Sequence, residues 1–374
     1  MNRFLGAIPG IDLPWKAVSE IKNQLYDHSF LDSFYANKPT LSIGNLTIGG
    51  TGKTPIMLDF VRYFENDFKI AVINRSYGGS LKEPLCLDLA NPRFKTETHL
   101  TTSLVGDEAL LLQEGFKSAS VFTGPSKSQT AQFISENGHF DFLIVDDGFQ
   151  HRKLGRNCDV VILDATEPTE SYQCFPRGRA RESFSSLKRA DLVFITKVNL
   201  APTIQVQKIL NWIEMNRSEQ GVQNPLQVFQ FEFLNDRIDL VTLPGSDSIT
   251  QGRKEVPLNT LIGQEVTAVS AIGNPGAFEK SLKLLNLKVK EHLRYPDHYQ
   301  YTNHDLVKII EKSKSSLIMT TEKDLVKFRE LKLQDPMDLF VLCLRVSCLT
   351  EKSKCYQLVY DQMQNNFKQR MLPS

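Results

Sequence analysis

Several groups of residues in this chain have the types and spacing that phosphoryl chemistry needs. In Leu41 to Pro55, LSIGNLTIGGTGKTP, a short apolar run feeds a glycine-rich turn ending Gly52-Lys53-Thr54, and an amphipathic run, Ile56 to Phe64, follows. Strand, glycine turn and helix in that order form a phosphate cradle, a P-loop. The backbone N–H groups of Thr47, Ile48, Gly49, Gly50, Thr51 and Gly52 turn inward, Lys53 reaches the outer phosphates, and the Thr54 hydroxyl is placed for Mg²⁺. Thr47 stands where the usual pattern has its first glycine. Phe142 to Val145 is apolar and ends in Asp146-Asp147. Adjacent carboxylates at a strand tip repel each other, so a cation beside the phosphate loop is the economical partner. Val105-Gly106-Asp107-Glu108 opens a helix with two acids in its first turn, which either complement the helix dipole or act as base and metal ligand.

Basic residues cluster twice more. Asn74 to Gly79 carries Arg75 in a glycine-marked loop at a strand's carboxyl end, where open α/β sheets place their sites. Phe175 to Glu182 carries Arg177, Arg179 and Arg181 at alternate positions, which suits a phosphate-bearing substrate better than a merely exposed loop. Further on, Pro296 fixes a loop that presents Asp297 and His298, although a lone loop histidine is commonly just exposed.

These groups need a scaffold of alternating strands and helices. Strands are expected at 69–73, 142–147, 159–163 and 191–195, and the character of the chain changes from about residue 203. There, strands at 226–234, 265–272, 316–320 and 339–344, with a helix at 278–285, predict a smaller α/β unit. The fold class expected is α/β: a P-loop NTPase-type sheet flanked by helices, with a second, smaller α/β domain joined by a hinge. The expected division is residues 1–36 as an amphipathic N-terminal segment, 37–220 as the P-loop core, 221–312 as the smaller substrate and hinge domain, and 313–374 as a segment returning to the core. In the first of these, Leu13, Trp15, Val18, Ile21, Leu25 and Leu31 recur at roughly helical spacing, with Asp12 as a cap and Pro14 in the first turn. Such a helix either packs on the domain or lies in a membrane surface.

Composition narrows the class. With 374 residues, 41% hydrophobic and 23% charged, the chain is long for one domain and ordinary for a globular protein. A net charge of +1 gives no global field for nucleic acid, so any anion site is local. Six cysteines without a CxxC pair read as reduced thiols of a cytosolic enzyme. No signal-peptide core and no run of 18 apolar residues is present, which predicts neither export nor a membrane span.

Taken together, the blocks resemble the tetraacyldisaccharide 4'-kinase family, the lipid A kinases of Gram-negative bacteria. The resemblance rests on Gly44 to Pro55, Val105 to Glu108, Val145-Asp146-Asp147-Gly148-Phe149-Gln150-His151, Arg181-Glu182, Asn274-Pro275, Pro296-Asp297-His298 and Thr321 to Asp324, in the family's order across roughly residues 40–330. Departures are Asn74-Arg75-Ser76 where the family usually has Ser-Arg-Gly, a less apolar N-terminus, and Arg177 and Ala180 in the arginine block.

The resemblance implies ATP and Mg²⁺ as cofactors and a lipid disaccharide 1-phosphate as acceptor. It also implies peripheral contact with the cytoplasmic face of the inner membrane, without nucleic acid or an obligate protein partner. It places Thr54, Glu108, Asp146 and Gln150 in or near the Mg²⁺ shell, with Asp147 orienting it. Asp107 becomes the base, hydrogen-bonded to His298 when the two domains close, beside Lys53 on the phosphates. Arg75, Arg179 and Arg181, with Glu182 beside them, become candidates for the substrate's 1-phosphate or for transition-state charge. A P-loop kinase of a soluble acceptor, or a nucleotide-dependent switch, would share the phosphate loop. Ile48, where partitioning and metal-insertion ATPases carry a second lysine, weighs against the switch.

Overall fold

The computed structural model describes residues 13–75, 81–88, 100–219, 226–244, 252–313, 317–331, 333 and 335–372. The expected cap Asp12, the glycines of the Asn74–Gly79 loop and the boundary at 220–221 lie outside them. In chain order the strands are β1 (Thr40–Asn45), β2 (Ile70–Arg75), β3 (Leu85–Cys86), β4 (Ser120–Gly124), β5 (Phe142–Asp146), β6 (Cys158–Asp164), β7 (Leu192–Thr196), β8 (Gln227–Leu243), β9 (Gly252–Val256), β10 (Glu265–Ser270), β11 (Lys288–Arg294), β12 (Leu317–Thr321) and β13 (Met337–Cys348). The helices are α1 (Leu13–Asp27), α2 (Lys53–Phe64), α3 (Thr102–Val105), α4 (Asp107–Gly115), α5 (Lys127–Asn137), α6 (Thr203–Glu219), α7 (Pro275–Leu284), α8 (Asn303–Lys312), α9 (Glu322–Phe328) and α10 (Lys352–Met371).

All thirteen strands join one sheet, ordered β11-β10-β12-β13-β8-β7-β6-β1-β5-β2-β4-β3, with β9 beside β8. From β7 to β4 the pairing is parallel, with β1 between β5 and β6. Helices cover both faces of such a sheet, so its strands read as continuous apolar runs: β1, β5, β6 and β7 are buried at every position. One face packs on α2 and α10 through Ile56, Phe60, Phe64, Tyr356 and Val359. Tyr172, Phe184, Ile209 and Ile213 cover part of the other. In the second half, β11, β10, β12 and β13 run parallel over their own apolar clusters.

The halves are joined by β8. Its first residues pair in parallel with β7, Gln227 opposite Leu192, and from Phe231 onward it pairs antiparallel with β13. The sequence predicts a strand only to residue 234, where polar segments follow. The structure continues to Leu243 because Asn235 faces Leu344 while Arg237 faces Cys343, so Asp236 is absorbed as a bulge. The helix expected to open at Val105 is also divided. Gly106, at φ 93°, ends the short α3 and makes Asp107 the first residue of α4.

Candidate active site

The phosphate loop is held from behind. Thr196 Oγ1 donates to Thr51 O at 2.7 Å and Lys197 Nζ to Gly50 O at 2.8 Å. Asn45 Nδ2 donates to Thr47 O at 2.8 Å and to Thr51 Oγ1 at 2.9 Å. With carbonyls of the loop satisfied on that side, the amides at the head of α2 are left for an anion. Two loop amides expected to turn inward are taken instead within the protein: Ile48 N donates to Arg179 O at 2.8 Å and Thr51 N to Gly49 O at 3.0 Å. Gly52 caps α2 at φ 92°, and a Cβ there would lie 2.5 Å from the Phe233 ring, so both backbone and space demand glycine. Lys197 itself, at φ 59°, pairs with the buried Asp164.

Asp146 and Asp147 sit at the carboxyl end of β5, directly beside β1. Their environments differ. Asp146 accepts from Asn74 Nδ2 at 2.7 Å, and burial together with the nearby Glu108 charge pushes its carboxyl up to about 7. Asp147, at φ 50°, is gripped by both terminal nitrogens of Arg181, at 2.7 and 2.8 Å, with Lys53 Nζ at 3.7 Å. Burial opposes its ionisation, but Lys53 and Arg181 outweigh that and hold it well below the usual carboxylate range. The oxygens expected to orient the metal shell are therefore already committed to a guanidinium. Asp146, Glu108 and Thr54 remain as hard oxygen donors, and Gln150 Oε1 is buried with no hydrogen-bond partner while its Nε2 bonds Asn45 O at 2.9 Å. An oxygen of that kind is what a water of a magnesium shell satisfies, so the donor set fits Mg²⁺.

Asp107 and His298, 191 residues apart, meet: His298 Nδ1 lies 2.9 Å from Asp107 Oδ1. The other carboxylate oxygen has Lys327 Nζ at 3.3 Å and Lys323 Nζ at 3.9 Å. Burial opposes ionisation of Asp107, but the His298 bond and the two lysines hold it ionised, below the usual range. The bond to Asp107 in turn raises the His298 pKa above its ordinary value. Lys323 also reaches Glu108 at 3.1 Å and Asp297 at 3.2 Å. These lysines come from α9, part of the Thr321–Asp324 block and the turn beyond it.

The arginines have separate surroundings. Arg181 faces the nucleotide strand tip, as above. Arg179 pairs with Glu167 at 2.7 Å, and its Nη2 would be 2.1 Å from a Cβ placed on Gly49, so it lies against the phosphate loop. Glu182 is buried and accepts from Arg189 at 2.7 Å and from Asn23 of α1 at 3.1 Å, which makes it an anchor. Arg75 lines a cavity of about 150 Å³ with Ser126, Lys127, Ser128, His151 and Lys153. Burial pulls Lys127 down to about 8, although Asp147 and Asp146 favour its charge. Lys127 is absent from the sequence-based site; Pro125-Ser126-Lys127-Ser128, between an apolar strand and a helix, was the available signal.

Helix α1 is tied down by polar bonds while its apolar side chains face outward. Trp15 Nε1 donates to Arg181 O at 3.0 Å, and Arg152 pairs with Asp27 at 2.7 Å. Trp15, Val18, Ile21, Leu25, Phe30 and Leu31 are all exposed. No described helix is long and apolar enough to cross a membrane.

Comparison with known proteins places this geometry. Residues 10–364 match the family model for tetraacyldisaccharide-1-P 4'-kinase. A tetraacyldisaccharide 4'-kinase of Bdellovibrio bacteriovorus is 35% identical over 343 residues, covering 91% of this chain and 94% of the relative. One of Anaeromyxobacter dehalogenans is 30% identical over 337 residues, covering 86% and 82%. The fold matches the crystal structure of an "apo" form LpxK from Aquifex aeolicus in complex with ATP, with a TM-score of 0.68 at 24% identity, over 97% of this chain and 99% of that one. By the match over residues 10–364 and the likeness to these relatives, the chain belongs to the tetraacyldisaccharide-1-P 4'-kinase family of phosphotransferases.

Proposed function

We propose that this chain transfers the γ-phosphate of ATP to the 4'-hydroxyl of a tetraacyl disaccharide 1-phosphate, with the work divided between the two sides of the cleft. Lys53 and the amides of residues 47–54 other than Ile48 and Thr51 hold the phosphates. Thr54, Asp146, Glu108 and Gln150 would hold Mg²⁺, directly or through water, and the ion when bound neutralises charge on the transferring group. Arg181 and Asp147 act as a pair that sets the position of Lys53. Arg179, against Gly49, faces charge that develops on the phosphoryl oxygens. Arg75 and Lys127 line a basic cavity suited to the acceptor's 1-phosphate.

A sugar hydroxyl is a poor nucleophile, so a base must take its proton as the new O–P bond forms. Asp107 takes that role. His298 on Oδ1, with Lys327 and Lys323 beside Oδ2, fixes the carboxylate's orientation, and the proton passes to a carboxylate that these cations keep ionised. The observation that carries the proposal is the Asp107–His298 bond itself, formed between the two halves at a carboxylate next to Glu108, whose charge is felt at Asp146. The hinge and the division at 37–220 and 221–312 belong to the same proposal, supported by the passage of the described chain between the halves in β8. The return to the core expected over 313–374 starts later than residue 313, because β12 and β13 pair within the second half and α10 is what packs on the first. Exposed α1 residues would seat the protein peripherally on the cytoplasmic face of the membrane that presents the lipid.

The test is transfer of ³²P from γ-labelled ATP to tetraacyl disaccharide 1-phosphate in detergent micelles. Labelled lipid that requires both Mg²⁺ and Lys53 supports acceptor and site together. ATP binding without labelled lipid would redirect the search to a soluble acceptor or a protein partner.

A further inference from the structure

Away from the Asp107–His298 pair, the two halves also touch at a place that the catalytic scheme does not use. The turn between β10 and α7 lies directly on the phosphate loop. A Cβ added to Gly273 would sit 2.2 Å from Gly50 N and 3.0 Å from Gly49 C. Gly273 is not in the left-handed region, so glycine is needed there for close approach and not for backbone freedom. The next residue, Asn274, spans the gap: its Nδ2 donates to Thr166 Oγ1 at 3.0 Å and lies 3.5 Å from Asp164 Oδ2. Thr166 Oγ1 donates in turn to Asp164 Oδ1 at 2.6 Å, and Asp164 pairs with Lys197, which holds Gly50 O. A closed circuit therefore runs from the second half through Thr166, Asp164 and Lys197 back to the loop carbonyl beneath Gly273.

We propose that Asn274 is a positioning residue: its bond to Thr166 seats the Gly273 backbone on the Gly49–Gly50 corner and holds the halves in the arrangement in which His298 and Lys327 reach Asp107. The proposal rests on the kinase assignment of the cleft. Contact at one rim keeps the other rim assembled, and the phosphate loop is ordered by the same contact.

Asn274 also caps α7, since its Oδ1 accepts from Ala277 N at 3.1 Å, so the variants must separate cap from latch. Asn274→Asp keeps a capping oxygen but loses the donor and sets a carboxylate toward Asp164. Thr166→Val removes the partner from the other side and leaves α7 untouched, while Thr166→Ser retains the hydroxyl. Gly273→Ala pushes the turn off the loop.

The experiment is steady-state kinetics with MgATP and the lipid acceptor, alongside amide hydrogen exchange of residues 47–54 in the full-length protein. Asn274→Asp, Thr166→Val and Gly273→Ala are each expected to lower kcat about ten-fold and speed exchange in 47–54, with the Kd for ATP changed less than about three-fold. Thr166→Ser should match wild type, and Asn274→Asp with Thr166→Val should be no worse than the worse single variant, because both remove one bond. Wild-type exchange and kcat in Thr166→Val, or additive losses in the double variant, would overturn the latch. Should Asn274→Asp fail to fold, the Thr166 pair decides alone. If the wild type labels no lipid, the kinase assignment fails, and the exchange measurement, which needs no acceptor, still decides the latch.

Discussion

The two sides of the cleft are both dense in ion pairs, yet they are assembled differently. On the nucleotide side, Lys53, Asp147 and Arg181 all project from the first half of the sheet, at or beside the carboxyl ends of its parallel strands. On the acceptor side, Asp107 belongs to the first half, and its partners His298, Lys323 and Lys327 belong to the second. A cluster built within one half survives relative motion of the halves. One shared between them exists only while they are together. In the proposed scheme phosphate binding is thus a property of one half and proton acceptance a property of both, an arrangement that would restrain ATP hydrolysis by water until an acceptor is enclosed.

The largest test of this contrast is Asp107→Ala. It should lower kcat by about 10²–10⁴-fold while ATP affinity, read by calorimetry, stays near wild type. Near-normal turnover would remove Asp107 from the role of base. Lys53→Met, on the other side, should cost about 10²–10³-fold in kcat and weaken ATP binding as well. If both variants gave the same pattern in Kd, the division between the sides would be lost.

Lys327 sharpens the contrast through stability. Its side chain is fully buried between Asp107 and Asp324, so Lys327→Met leaves buried carboxylates without their cation and should cost roughly 3–5 kcal/mol in denaturant unfolding. A cost under about 1 kcal/mol would show that the lysine is not what holds this rim together.

The His298 pair gives a pH signature. His298 is raised above 6.5 and Asp107 lies below 3.8, so the pair stabilises the fold between those limits. Its contribution is complete below pH 6.5 on the histidine side and is lost as pH rises through the raised His298 pKa. On the carboxylate side it is lost as pH falls through that of Asp107. The Tm difference between wild type and His298→Ala should therefore narrow in alkali; a constant difference from pH 6 to 10 would exclude an ionic pair. The smallest effect is expected at Asp146. Its pKa of about 7 means the native state resists the charge, so ligand-free stability declines as pH climbs from about 4 to 7. Asp146→Asn should raise Tm at pH 8 by a few degrees while abolishing the response to Mg²⁺. An unchanged Tm would place Asp146 in a wetter site than the structure shows.

What the sequence made legible was local. The phosphate loop, the strand-tip carboxylates and the helix headed by Asp107 are each written within a dozen residues, because turn chemistry and burial act over that distance. The family's pattern added the long-range partner His298. The committed partner of Asp147 was out of reach, since Arg181 lies 34 residues on and nothing in its alternation says that it folds back to β5. Lys327 and Lys197 were missed for a related reason: a buried lysine is readable only from the carboxylate it meets. Helical spacing in α1 could not choose between core and surface, because both use the same period. The structure adds that Trp15, Val18 and Ile21 are exposed.

The long strand β8 has a mechanical consequence. Since it hands over from β7 to β13 at Gln230 and Phe231 without leaving the sheet, the halves can turn about each other by changing strand twist, with every ladder bond kept. Such a ribbon behaves as a torsion spring: soft along one rotation and stiff against sliding or separation. In the proposed scheme, closure around a lipid headgroup would then follow a single track, and release of product would return the sheet to the same resting angle.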